Sequence, residues 1–316
     1  MINLEAELKQ AGSAAITGHV RPDGDCVGSC MGLYLYIKKY FPQVERLDVY
    51  LEEFPESFRF IKDIEAVKHC CREDFSYDVI FCLDAGDTAR LGEAKKYLDT
   101  AKRSICIDHH ISNQGYGNVN YIIPEASSTS ELVYGLMEPD KVTKEIAEAL
   151  YMGISHDTGV FQYSCTSPKT MEVAGKLMET GINFSEIVEK TFFEKTYVQN
   201  QILGRALLES ILVLDKRCII SHIRKKDMEF YHAAPMDIEG IVSQLRNTKG
   251  VETAIFLYET NSQEFKVSMR SDGKVDVQEV AVYFGGGGHK RAAGCTMQGT
   301  FYDVVNNLTR RIEKQM

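Results

Sequence analysis

The sequence predicts an α/β protein in which an N-terminal doubly wound, mainly parallel sheet is followed by a smaller C-terminal α/β domain. Three observations carry this. Short β-branched apolar runs alternate with apolar-periodic helical stretches through the first 190 residues, the pattern of βαβ units. Several of those runs end in Asp or His, where side chains reach the carboxyl edge of an open α/β sheet. From Ile211 the strand-like segments become short and closely spaced. The expected boundaries are a metal-binding domain over 1–190, a helical linker over 191–210 and a substrate-binding domain over 211–316.

The first strand is expected over residues 14–18, before the polar loop His19-Val20-Arg21-Pro22-Asp23-Gly24-Asp25 and a helix over 27–40. Pro22 and Gly24 shape the turn, and Asp25 is a good N-cap residue. His19-x-x-x-Asp23-x-Asp25 therefore reads either as a capped turn or as convergent ligands. A second strand is expected over 47–50, with a short helix over 54–61. A clearer strand over 77–83 ends in Asp84-Ala85-Gly86-Asp87, and Arg90 lies a turn beyond. A helix over 92–98 then leads into a strand over 103–107, which ends in Asp108-His109-His110. Three such residues in succession have little structural use, because each must find a partner or stay in water.

Ser128 and Glu131 form a capping-box pattern before an apolar-periodic run over 132–137, which is reason enough for Glu131. The hydroxyls over 127–130 could alternatively meet a phosphate at the helix N-terminus. A helix over 143–154 runs into His156 and Asp157, where a carboxylate opposes the helix dipole, a misfit that favours function. Helices over 167–179 and 185–193 follow, then a connector over 196–209. In the second domain, strands are expected over 211–214, 217–222, 251–258 and 264–270, with helices near 237–246 and 276–283. Gly285-Gly286-Gly287-Gly288-His289-Lys290-Arg291 reads as backbone that approaches a phosphate, with cationic side chains beside it. Arg270-Ser271 offers a second grip.

Composition narrows the function. With 44% hydrophobic and 26% charged residues the chain falls in the ordinary globular class. Its net charge of −9 argues against holding long duplex nucleic acid by phosphate neutralisation, while leaving small anionic substrates open. No apolar run approaches a membrane span, and Glu5, Glu7 and Lys9 do not resemble a signal sequence. Nine cysteines without CxxC spacing read as reduced thiols, so a cytoplasmic protein is expected. Collected at element ends, His19, Asp23, Asp25, Asp84, His109, His110 and Asp157 exceed the needs of one metal ion. They suit a pair of divalent ions, Mn²⁺ rather than thiolate-bound Zn²⁺.

These motifs, together with Ala126-Ser127-Ser128-Thr129-Ser130-Glu131, His156-Asp157-Thr158-Gly159 and the glycine run, resemble the DHH phosphoesterase superfamily in its branch with a DHH-associated C-terminal domain. Within it, the chain is most similar to stand-alone bacterial nanoRNases that also dephosphorylate 3′-phosphoadenosine-5′-phosphate (pAp). The resemblance implies an active site in the cleft between the domains and two divalent cations, Mn²⁺ first, with Mg²⁺ or Co²⁺ as alternates. It implies His19, Asp23 and Asp84 on one ion and Asp25, Asp84, His109 and Asp157 on the other. Asp84, Asp108 and His110 become the catalytic group, with Asp108 orienting a ligand from behind and His110 facing substrate. Arg90, Arg270, Ser271, Gly286, Gly287, Gly288 and His289 become the substrate-binding group. The implied substrates are short oligonucleotides or pAp. The alternatives are a phosphodiesterase for cyclic or linear dinucleotides such as pApA, and a non-catalytic nucleotide-binding protein. No membrane partner is implied, and a homodimer is compatible. His156 beside Asp157, Asp87 where many relatives carry Asn, and basic Lys290-Arg291 depart from the family pattern.

Overall fold

Residues 2–316 are described by a computed structural model, which divides into two units that meet in sequence between Glu194 and Lys195. In the first unit, β1 (Ser13–Thr17), β2 (Arg46–Tyr50), β3 (Val67–Lys68), β4 (Val79–Leu83), β5 (Arg103–Asp108) and β6 (Val119–Ile122) form one sheet in the order β3-β2-β1-β4-β5-β6. Every neighbouring pair is parallel. β1 and β4 are buried along their whole length, as strands covered on both faces must be. Ala14 and Ile16 of β1 face one core with Phe81 and Leu83, whereas Ala15 faces another with Ile80, Cys82 and the rings of Tyr50, Tyr77 and Tyr97. The period of two along each strand thus builds both layers.

The helices of this unit are α1 (Leu4–Leu8), α2 (Gly24–Tyr40), α3 (Lys95–Thr100), α4 (Thr129–Gly135), α5 (Lys144–Asp157), α6 (Pro168–Glu179) and α7 (Phe184–Val188). α2, α4 and α5 share the first core, where Val27, Met31, Val133, Ala147 and Leu150 are buried. Each large apolar side chain buried there contributes about 1.5–3 kcal/mol. The chain leaves β1 toward β2 and β3 on one side, and from β4 builds β5 and β6 on the other. The reversal between β1 and β4 opens the sheet's carboxyl edge, where ligands bind in such folds.

The second unit contains α8 (Tyr197–Leu208), β7 (Ile211–Val213), β8 (Cys218–Ile223), α9 (Lys225–Tyr231), α10 (Ile241–Arg246), β9 (Thr253–Asn261), β10 (Glu264–Ser271), α11 (Val277–Tyr283), β11 (Gly287–His289), β12 (Ala292–Gln298) and α12 (Phe301–Glu313). Its sheet runs β11-β12-β10-β9-β8-β7, with β8 and β9 parallel and the other pairs antiparallel. α11 and α12 cover one face through Val280, Val304, Leu308 and Ile312. α8 and α10 cover the other through Ile202, Ala206, Ile241 and Leu245.

Several local expectations change. The helix expected from residue 27 begins at Gly24 and is capped by Asp23, whose Oδ1 accepts from Asp25 N and Cys26 N, so Asp25 is not the cap. The helix expected over 54–61 is a single 3-10 turn, Glu56–Phe58. The helix expected over 92–98 starts only at Lys95, because a 3-10 stretch, Thr88–Ala94, precedes it and is kinked at Gly92 by a φ of 53° and ψ of −133°. α7 passes into a π turn, Glu189–Phe193. The helix read as a linker, α8, packs into the second unit's core. α1, β3, β6, α9, β11, β12 and α12 were not anticipated. Among the described residues no helix is long and apolar enough to cross a membrane, and all nine cysteines are free thiols.

Candidate metal centre

The carboxyl edge of the first sheet gathers the expected residues. His19 follows β1, Asp23 caps α2, Asp25 sits in its first turn, Asp84 follows β4, Asp108 ends β5 with His109 and His110 just beyond, and Asp157 closes α5. Asp84 adopts φ 55°, uncommon for a residue with a Cβ, while its N–H donates to Ile107 O at 3.0 Å. Strain of this kind persists where the surroundings hold it, and it turns the carboxylate out of the strand path. Gly153 lets α5 come close: a Cβ there would lie 2.0 Å from Ser130 Oγ and 2.8 Å from Asp25 Oδ1.

The geometry is centred on Asp84, which is 2% exposed. Its Oδ2 lies 3.4 Å from His19 Nε2, and its Oδ1 lies 3.5 Å from His109 Nε2 and 3.7 Å from His110 Nδ1. The two oxygens of one carboxylate thus face different imidazoles. His19 Nε2 is also 3.6 Å from Asp23 Oδ1, and His109 Nε2 is 3.0 Å from Asp157 Oδ2. Ligand atoms within 4.8 Å of one another form the groups His19, Cys26 and Asp84; Asp84, His109 and His110; and Asp25, His109 and Asp157. Cys26 was not anticipated; burial pushes its thiol well above the ordinary range, so it stays protonated and is a poor donor to a metal.

The electrostatics of the cluster follow from its crowding. Burial alone would lower His19, but the carboxylates of Asp23 and Asp84 push it up to about 12. His109 is likewise pushed up to about 12 against burial, by Asp157, Asp84 and Asp25. Burial, with Asp84 and Asp157 nearby, holds Asp25 well above the usual carboxylate range, and burial lifts Asp157 to about 6. Protons thus occupy a nest of carboxylates and imidazoles that cations would otherwise neutralise. Oxygen and imidazole donors in this mixture fit hard to borderline divalent ions.

Surrounding contacts hold the set in place. Asp25, fully buried, accepts from Thr129 N at 2.7 Å and Ser130 N at 2.9 Å, and Thr129 Oγ1 donates to Asp84 Oδ1 at 3.1 Å. Asp108, also fully buried, accepts from His110 Nδ1 at 2.7 Å, His109 N at 2.8 Å and Asn113 Nδ2 at 2.6 Å. Burial opposes its ionisation, but His110 and Asn113 hold it below the usual carboxylate range. Thr129 and Asn113 were missed as site residues because their partners lie on other elements. Only half of the expected capping box forms: Ser128 Oγ accepts from Glu131 N, whereas the Glu131 carboxylate accepts from Ser127 Oγ at 2.6 Å and Thr170 Oγ1 at 2.7 Å. The hydroxyls of Ser127, Ser128 and Thr129 are engaged within the protein and Ser127 to Ser130 are all fully buried, which removes the reason to read them as a phosphate cradle.

Arg90 lies on the turn capped by Asp87, whose Oδ1 accepts from Ala89 N and Arg90 N. Its carbonyl accepts from Val20 N at 2.7 Å, which ties this turn to the His19 loop, and its buried Nε has no hydrogen-bond partner among the described residues. His156 packs edge-on against Phe58 and Phe192, with Nε2 3.0 Å from Thr191 Oγ1. In the second unit, the register Arg270↔Ala292↔His289 aligns Arg270 and His289 across β10, β12 and β11. Arg270 Nη1 donates to Met269 O, Ser271 N donates to Arg291 O, and Ser271 Oγ accepts from Gly273 N. His289, Lys290 and Arg291 are exposed. The glycine run is partly a strand, with a packing reason for two members. A Cβ on Gly286 would lie 2.1 Å from Gly294 O, and one on Gly288, at φ 140°, would lie 2.5 Å from Ala292 O.

A parallel sheet with carboxylates and imidazoles converging at its reversal point, followed by a second mixed α/β unit, defines a class of two-domain hydrolytic proteins with a metal-binding edge. The chain belongs to the DHH phosphoesterase family: residues 13–154 match the DHH family N-terminal domain and residues 225–316 match the DHHA1 domain. Among similar proteins is one from Thermus thermophilus named bifunctional oligoribonuclease and PAP phosphatase NrnA, 28% identical over 307 residues, covering 96% of this chain and 90% of that protein. A Bacillus subtilis protein of the same name is 27% identical, covering 88% of this chain and 87% of its own. The crystal structure of an exopolyphosphatase-related protein from Bacteroides fragilis superposes with a TM-score of 0.91 at 28% identity, covering 98% of this chain and 94% of that one.

Proposed function

We propose that the chain is a metal-dependent phosphoesterase that hydrolyses short oligoribonucleotides to 5′-mononucleotides and pAp to AMP and phosphate. The observation that carries the reading is Asp84, buried at the reversal of the sheet with one oxygen toward His19 and the other toward His109. The names of the Thermus thermophilus and Bacillus subtilis relatives support the substrate class. His19, Asp23 and Asp84 would hold one divalent ion, and Asp25, Asp84, His109 and Asp157 the other, with Mn²⁺ suited to the donors and Mg²⁺ or Co²⁺ as alternates. Such a pair, when bound, polarises a phosphoryl group and lowers the pKa of an attacking water.

The remaining work falls to the protein's own groups. Asp108 accepts from His110 Nδ1 and raises the imidazole above its ordinary value, and in this reading the ring's other nitrogen would serve as proton donor to a phosphoryl oxygen or the leaving group. Arg90 would hold a phosphate from the first unit. Arg270, Ser271, His289 and the backbone of Gly286, Gly287 and Gly288 would hold the distal phosphate or nucleotide, which makes the second unit the substrate-binding domain. The test is hydrolysis of pAp, pApA, a long RNA strand and pyrophosphate side by side, with Mn²⁺ and with a chelator. Preference for pAp and short oligonucleotides supports the reading. Preference for pyrophosphate or the long strand overturns the substrate, and activity that survives the chelator overturns the metal.

A further inference from the structure

We infer that Thr129 is a positioning residue that couples the two proposed ion positions by holding Asp25 and Asp84 at the same time; this rests on the two-ion reading above. Thr129 opens α4 and is wholly buried. Its N–H donates to Asp25 Oδ2 at 2.7 Å and its hydroxyl to Asp84 Oδ1 at 3.1 Å. Asp25 comes from α2 and Asp84 from the end of β4, so one residue of a third element spans both carboxylates. Neither contact is local, since the partners are 104 and 45 positions away in sequence.

Two bland explanations for the hydroxyl fail. Helix capping is done by Ser128, whose Oγ accepts from Glu131 N. Filling space needs no hydroxyl, because Val has the same shape, and a buried hydroxyl is unfavourable unless it is bonded. The bond it makes acts on a specific freedom. The terminal torsion of an Asp side chain is broad, so an unrestrained Asp84 carboxylate can rotate. With Oδ1 held by Thr129, Oδ1 stays toward His109 and Oδ2 toward His19. The same residue's N–H fixes Asp25, which stands with His109 and Asp157. The spacing between the two ligand groups therefore passes through Thr129.

The experiment compares metal-free wild type, Thr129→Val and Thr129→Ser. Mn²⁺ is titrated by calorimetry, paired ions are read from the spin-coupled EPR spectrum, and the metal-free melting temperature is measured for each. Wild type is expected to bind two coupled ions. Thr129→Val, with the backbone contact retained, should bind Mn²⁺ about 10–100-fold more weakly, as is typical when a ligand loses an outer hydrogen-bond partner, and should lose most of the coupled signal. Thr129→Ser should keep both. A folded Val variant with wild-type affinity and coupling overturns the inference, as does a folded Ser variant that loses them. If the Val variant does not fold, the Ser variant decides alone: retained coupling supports the role of the hydroxyl. Wild type that binds fewer than two ions overturns the two-ion reading and the coupling role together, whereas two coupled ions bound with wild-type affinity in Thr129→Val overturn only the latter.

Discussion

Replacing Asp84 by Asn separates the site's chemistry from its architecture. Asn is nearly isosteric with Asp and is among the residues most tolerant of positive φ, so the 55° backbone at position 84 remains accessible. The amide oxygen can still accept from Thr129 Oγ1. What disappears is one negative charge that faces His19 at 3.4 Å and His109 at 3.5 Å, where ions would stand between the groups. A unit charge acting across about 4 Å at an effective dielectric near 20 is worth about 4 kcal/mol. At about 1.4 kcal/mol per factor of ten, losing it should weaken at least one ion by about 10³-fold. The metal-free variant should melt below the metal-free wild type, because the Asp84 carboxylate pairs with the protonated His19 and His109 that it raises. Saturating Mn²⁺ stabilises wild type by about 2.7 kcal/mol at a hundred times Kd, and this increment should be largely lost in the variant. Calorimetry with Mn²⁺, thermal melts with and without the ion, and kcat on pAp measure the three parts. Two ions bound at wild-type affinity, or turnover within tenfold of wild type, would refute the placement of Asp84 between the ions.

Other expectations follow from the same contacts. His19 and His109, pushed up to about 12 in the metal-free cluster, are protonated at neutral pH and must lose protons to become ligands. Mn²⁺ affinity should therefore rise with pH, and calorimetry in two buffers of different ionisation enthalpy should register proton release; equal heats in both would contradict it. Burial opposes ionisation of Asp48, but Lys68, Tyr77 and Arg46 hold its carboxylate below the usual range. A depressed value means the stabilisation is present above the unfolded carboxylate pKa and fades as pH falls through the folded one. Asp48→Asn should thus cost about 1–3 kcal/mol near neutrality, and the difference from wild type should close in acid melts; a gap independent of pH would rule this out. Arg270→Ala should raise KM with little change in kcat, and an unchanged KM would remove Arg270 from the phosphate grip. Gly288→Ala places a Cβ 2.5 Å from Ala292 O at φ 140°, so its melting temperature should fall while Mn²⁺ binding is kept; an unchanged melt would show that β11 can shift to accommodate it.

Much of this molecule is local chemistry. β1, β4 and β5 were legible because β-branched and apolar runs of about five residues bounded by polar loops are strands, and their ends carry Asp84, Asp108, His109 and His110 where a parallel sheet exposes them. α6 was expected over 167–179 and runs from Pro168 to Glu179, and the helix into Asp157 was legible through its 3.6-residue period. Weak or short signals were not. β3 is a two-residue strand completed by its neighbour, and β12 is a strand whose glycine and alanine residues acquire strand character only by pairing with β10 and β11, whereas α12 was overlooked although a capping box at Thr300 and Asp303 and an apolar helical period announce it.

Which residue types stand at which strand and helix ends is legible along the chain, because element identity follows from periodicity, turn residues and caps within about ten positions. How those ends are held depends on contacts between distant segments. Asp23 rather than Asp25 caps α2, because the Asp25 carboxylate is taken by backbone N–H groups at the start of α4, 104 and 105 positions away. Asn113 reaches back to Asp108, and Gly286 and Gly288 are small because β12 lies against them. Such partners have no sequence period. They are chosen when a buried polar group must find a donor or acceptor wherever packing brings one near, a requirement that acts through space and not along the chain.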